Sequence, residues 1–139
     1  MNPINCSYSI EGKGPALFLI HGIGSARDAW RFVLPELIKK FTVITYDLRG
    51  HGSSPQSKDN FNLGSLVEDL ELLRHRTGFK SAFFAGHSLG GMIAPAYALK
   101  YPAHVKALGL LSTVVGRSTE DKNNVLSVIK LMEEKGVSK

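Results

Sequence analysis

The 139-residue chain has a single cysteine, Cys6, so no disulfide can form within it, and a reducing compartment suits the thiol best. No apolar run approaches the eighteen or so residues needed to span a bilayer, and the opening MNPINCSYSIEGKG has neither a basic n-region nor an apolar h-region. These lacks lead to the expectation of a cytoplasmic protein with no membrane partner. Low-complexity tracts and solenoid-length repeats are missing as well. The formal net charge is +5, yet Lys and Arg are scattered, with none of the basic and aromatic striping that binds nucleic acid. No cluster of His, Cys and carboxylates has metal-ligand spacing, and nothing points to an organic cofactor.

What is present is the composition of one globular domain, 43% hydrophobic and 21% charged. Residues 6–10 alternate as a strand does, EGKG supplies turn chemistry, and residues 15–20 form a short apolar run, which together predict a hairpin leading into a buried strand. Ala29, Trp30, Val33, Leu34, Leu37 and Ile38 recur at helical spacing, with Pro35 kinking or restarting the helix. Residues 41–46 are β-branched and aromatic, a second buried strand. Leu63, Leu66, Val67, Leu70 and Leu73 predict a helix of about four turns, with Ser65 and Glu68 as a capping box and Gly78 as its stop. A strand at residues 81–85, a helix from about Ser88 to Lys100 and a fourth buried strand at Val105–Leu111 complete the pattern. Apolar strands alternating with helices predict an α/β fold, a mostly parallel sheet with helices on both faces. Residues 1–115 form this core, and residues 116–139 read as a further helical segment, with Val125, Ile129 and Met132 on one face.

In an open parallel sheet, ligands collect beyond the carboxyl ends of the strands, which directs attention to HGIG (21–24), DLRGHGSSP (47–55) and GHSLGG (86–91). A GxSxG turn joins strand to helix too sharply for ordinary backbone angles, and its flanking glycines, here Gly86 and Gly90, remove the Cβ atoms that would clash. Ser88 would then project into the site as a nucleophile. The helix that follows aims its free amides and positive dipole end at the same place, and the Leu89 amide would be one donor to a developing oxyanion.

HGIG after the first parallel strand, YDLRGHGSS after the second and GHSLGG with a helix running to Tyr101-Pro102 after the third resemble the α/β-hydrolase family, over about residues 15–113. The resemblance implies Ser88 as nucleophile and an oxyanion hole from the Ile23 and Leu89 amides. His21, Gly22, Gly86, His87 and Gly90 would support the elbow and the oxyanion loop. A serine where epoxide hydrolases and haloalkane dehalogenases carry aspartate implies acyl transfer on a small carboxylic ester or lactone. Within the family, GGMIAPAYALKYP, LLSTVVGRS and MEEKG resemble 3-oxoadipate enol-lactonase and related esterases. One departure is Pro95 within the elbow helix, which removes a bond to the Gly91 carbonyl and predicts a kink.

The other departure concerns the serine's partners. A serine hydroxyl needs a base oriented by a carboxylate, and in this family both follow the serine along the chain. The only later histidine is His104, in a connection at the opposite end of the sheet. His21 reads as a brace of its turn, His87 faces away from Ser88 if the turn is normal, and His51, though it precedes the serine, is the only stand-in at the correct end. Asp47 braces its own loop, and Glu120 and Asp121 cap the last helix. The catalytic acid and histidine are therefore expected to be missing, so that the chain is the N-terminal half of a hydrolase and weak or inactive alone. The competing expectation is a non-catalytic binding or scaffold module. The last strand, residues 105–115, would leave an apolar edge for self-association or for a C-terminal half. The final helix resembles the beginning of a lid.

Overall fold

A computed structural model describes residues 2–57 and 61–112. The elements run β1 (Tyr8–Glu11), β2 (Ala16–Ile20), α1 (Leu34–Leu37), β3 (Thr42–Tyr46), α2 (Leu63–Thr77), β4 (Ala82–His87), α3 (Gly90–Lys100) and β5 (Val105–Leu111). They form one five-stranded sheet in the order β1-β3-β2-β4-β5. The four strands from β2 to β5 are parallel and β1 is antiparallel. The expected fold class is therefore the observed one. The predicted hairpin is not: β1 pairs with β3, Tyr8 opposite Tyr46, and the turn at Gly12 and Gly14 carries the chain over β3 to β2. At both glycines a methyl group would stand inside the backbone of residues 38–41, so the turn closes only with glycine.

Two-sided burial explains the apolar strands. Ala16, Phe18 and Ile20 of β2 and Ala82 and Phe84 of β4 join the core beneath α2 and α3, where Phe18 stacks on Phe84 at 5.0 Å and Phe84 meets Tyr97 at 4.7 Å. Leu17, Leu19 and Val43 face the other way, against Trp30, Leu34 and Leu37. Helical segments thus cover both faces.

The stretch from Ala29 to Ile38 is not one helix but a 3-10 turn, Arg27–Trp30, followed by the single turn α1 with Pro35 in its first turn, where a missing N–H costs nothing. α2 is capped by Asn62 and Ser65, in place of Ser65 and Glu68: Asn62 Oδ1 accepts the Ser65 N–H at 3.0 Å. Asn62 is extended, as a cap must be, whereas Ser65 already lies inside the first turn. Gly78 ends α2 in the left-handed region (φ 80°), as expected. α3 runs through Pro95 without interruption.

β5 is a strand but not a buried one. Val105 lies opposite Ala82 and Ala107 opposite Phe83, leaving Lys106 as a bulge, and from there Leu108 and Leu110 fall on the α3 side of the sheet. Leu108, Leu110 and Leu111 are 38%, 45% and 47% exposed, because among the described residues nothing pairs with the outer edge of β5. The expected helical segment 116–139 and its capping by Glu120 and Asp121 lie outside the described residues, as does the end of the strand predicted for 105–115.

Candidate active site

The carboxyl ends of β2, β3 and β4 bring HGIG, the Asp47 loop and GHSLG together. Ser88 sits at the end of β4 with a φ of 54°, a left-handed conformation that costs a non-glycine residue about 1–3 kcal/mol. Its surroundings enforce that conformation. A methyl at Gly86 would stand 2.0 Å from the Gly90 carbonyl oxygen, and one at Gly90 would stand 2.1 Å from that of Ile20. The strand, the turn and the following helix therefore approach to distances only glycine allows. The helix begins at Gly90, two residues later than expected, with Leu89 as its N-cap. The Ser88 N–H donates to the Leu111 carbonyl of β5 at 3.1 Å.

Opposite the elbow lies Gly22, where a methyl would meet Ser88 Cβ at 3.1 Å and His87 Nδ1 at 3.5 Å. His21, Gly22, Ile23, Trp30, Val33, His87, Ser88 and Leu111 line a cleft of about 380 Å³. The buried Trp30 indole N–H has no hydrogen-bond partner. On the far side of the HGIG loop, a more polar groove of about 790 Å³ runs past Ser25, Arg31, His51 and Gln56. The smaller cleft is the one that contains Ser88. Among the described residues, the amides of Ile23 and Leu89 have no hydrogen-bond acceptor.

The histidines differ sharply. The Leu48 N–H donates to His21 Nε2 at 3.0 Å, so His21 carries its proton on Nδ1 and donates it to the Gly22 carbonyl at 2.7 Å. Burial, aided by the neighbouring His51, lowers the His21 pKa to about 4. His51 repeats the arrangement: Nε2 accepts the Gly24 N–H at 3.0 Å and Nδ1 donates to the Arg49 carbonyl at 3.0 Å. Its rings lie 5.2 Å from those of His21. A backbone N–H already occupies each Nε2 lone pair, so both histidines brace HGIG against the Asp47 loop, and His51 is not placed as a stand-in base. His104 lies at the other end of the sheet, with Nδ1 3.4 Å from Glu71. His87 departs from its expected orientation. Instead of facing away, its ring sits beside Gly22 on the cleft wall, because β4 alternation puts it on the Phe83 and Ala85 side, with Trp30.

Asp47 braces its loop as expected. Its carboxylate accepts the Arg27 N–H at 2.8 Å and the Ser53 N–H at 3.1 Å, and it fills the space where Gly52 has no side chain. Sequence reasoning missed the ion pair beneath the loop. Arg49 Nε and Nη2 donate to Asp69 at 2.7 and 2.6 Å, both side chains buried, and Asp69 also accepts the Ile4 N–H. The signal was available, since Asp69 falls three residues after Leu66 and four before Leu73, on the buried stripe of α2. Cys6 is buried beside this pair, and burial pushes its thiol up to about 12, which leaves it inert. Among the described residues no three His, Cys or carboxylate side chains gather around a point, and no helix is long and apolar enough to cross a membrane.

Comparisons with known proteins agree with this geometry. A family model described as "alpha/beta hydrolase fold" matches residues 15–133. An uncharacterised protein of Mycobacterium tuberculosis is 35% identical over 90% of this chain and 36% of its own length. The fluoroacetate dehalogenase of Burkholderia sp. is 33% identical over 80% of this chain and 38% of its own. The solved structure of a thermophilic esterase from Thermogutta terrifontis superimposes with a TM-score of 0.85 and 30% identity, covering 94% of this chain and 49% of that one. The chain thus spans little more than a third of these curated relatives and about half of that esterase. A left-handed serine clamped between methyl-intolerant glycines at the end of a parallel strand, matched over nearly the whole chain by that model and those relatives, makes this protein a member of the α/β-hydrolase family, represented by its N-terminal portion.

Proposed function

We propose that Ser88 is the nucleophile of a hydrolase acting on small carboxylic esters or lactones. The observation that carries this reading is the strained Ser88 backbone, held by Gly86 and Gly90 at the mouth of a cleft. Ser88 Oγ attacks the substrate carbonyl, and the charge developing on its oxygen is met by the unengaged amides of Ile23 and Leu89. Collapse of the tetrahedral adduct expels the alcohol and leaves an acyl-serine, which water then cleaves. The proton must be taken by a histidine held by a carboxylate. His21 and His51 have no free lone pair for it, so the base and acid come from a polypeptide segment that pairs with the open edge of β5. The enol-lactonase-like motifs support a lactone or enol ester as substrate, and the buried free thiol of Cys6 suits a cytoplasmic setting.

Oxyanion donors and binding alone sustain roughly 10³ to 10⁴-fold acceleration over water when a triad is broken, so the chain by itself should turn over slowly. A binding or scaffold module is the second reading, favoured by the engagement of both buried histidines. A fluorophosphonate probe with p-nitrophenyl acetate hydrolysis decides between them. Slow labelling that goes to completion and that Ser88→Ala abolishes is expected for the hydrolase without its base; no labelling leaves the module.

A further inference from the structure

We infer that His87 is a specificity-determining residue of the Ser88 cleft, hydrogen-bonding a second carbonyl oxygen on the acyl part of the substrate; this rests on the cleft being the substrate site. Three observations lead to it. The ring stands beside Gly22, where an added methyl would meet both Ser88 Cβ and His87 Nδ1, so a substrate carbonyl at Ser88 has its acyl chain beside the imidazole. His87 is exposed, and unlike His21 and His51 it has no hydrogen bond on either ring nitrogen. The remaining wall is mostly apolar, from Ile23, Trp30, Val33 and Leu111, with Ser25 and with His21, whose ring nitrogens are both engaged. In such a cleft the exposed, unengaged imidazole sets the orientation of the ligand, since the other unpartnered donor, the Trp30 N–H, is buried in the wall. A neutral imidazole offers one donor and one acceptor, and its N–H suits the oxygen of a second carbonyl whose carbon lies two bonds beyond the scissile carbon. A substrate without that oxygen leaves the imidazole donor without a partner once the cleft excludes water.

Ethyl acetoacetate and ethyl butyrate differ chiefly by this oxygen. Each is titrated into the Ser88→Ala protein, which cannot turn them over, while the imidazole resonances are followed by NMR. Acetoacetate ester binding about tenfold tighter is expected, the size of one hydrogen bond, with the His87 ring signal moving most. His87→Phe should erase the difference and His87→Gln, which keeps a donor, should retain part of it. Equal affinities, no saturable shift with either ester, or a preference that survives in His87→Phe would overturn the inference. Should His87→Phe not fold, the two-ester comparison and the identity of the shifted ring still decide. Failure of Ser88 to react with a fluorophosphonate would instead remove the hydrolase reading and leave this titration standing.

Discussion

The elbow shows how much a single missing methyl can specify. Gly90→Ala puts a Cβ 2.1 Å from the Ile20 carbonyl oxygen, against the strand backbone, so it should lower stability by about 3 kcal/mol in urea unfolding. Gly50→Ala meets nothing within 4 Å and faces only its φ of 72°, so about 1 kcal/mol is expected. A larger loss at Gly50 than at Gly90 would contradict the packing described. His21 supplies the pH dependence. Its folded pKa is near 4, against an ordinary 6.5, so between those values the unfolded chain binds more protons and stability rises with pH. The stability is full above pH 6.5 and is lost as pH falls toward 4. About 2 kcal/mol should separate unfolding curves at pH 7 and 4.5, and His21→Gln should flatten the difference. Ser88, Gly86 and Gly90 could be found from sequence because a sharp strand-to-helix turn demands those residue types at that spacing. The orientation of His87 could not, since it depends on which face of β4 the alternation reaches when the turn begins.

At the scale of elements, the loop after β3 is held to α2 by Arg49 and Asp69. Breaking a buried pair leaves an uncompensated charge, so Arg49→Met alone should cost about 3–5 kcal/mol. Arg49→Met with Asp69→Leu should recover most of that loss, as measured by a double-mutant cycle in thermal unfolding. Periodicity located β2, β3, β4 and α2 because each is apolar on a repeating face. It failed where two short pieces share one helical phase, at Arg27–Trp30 and α1, and where pairing depends on a distant strand, as for β1. Asn62 was overlooked as the cap because Ser65 and Glu68 match the same local pattern three residues later. Only the extended backbone of Asn62 separates the two.

At the scale of the whole molecule, the sheet is finished at one side and, among the described residues, open at the other. β1 closes the first edge with a short strand, whereas β5 presents seven residues whose leucines are partly exposed on both faces. Such an edge pairs with other strands. The purified chain should therefore self-associate, and Leu110→Lys should shift it toward monomer, measured by light scattering on a sizing column. A monomeric parent would remove the edge as an interface. The parallel order of the sheet was legible because both faces of its strands are apolar. The openness of β5 was legible only as an expectation about neighbours, because the same seven residues would read identically if buried.

The Ser88 amide reaches across to the last carbonyl of that open strand. Its proton is therefore a clock for the edge: each time Leu111 frays from the sheet, the amide is released to exchange with deuterium, and the proposed nucleophile loses one of the ties that hold its backbone in place. Whatever zips onto β5 would slow that exchange and steady the Ser88 backbone in the same event, so assembly and the rigidity of the elbow would be read from one proton.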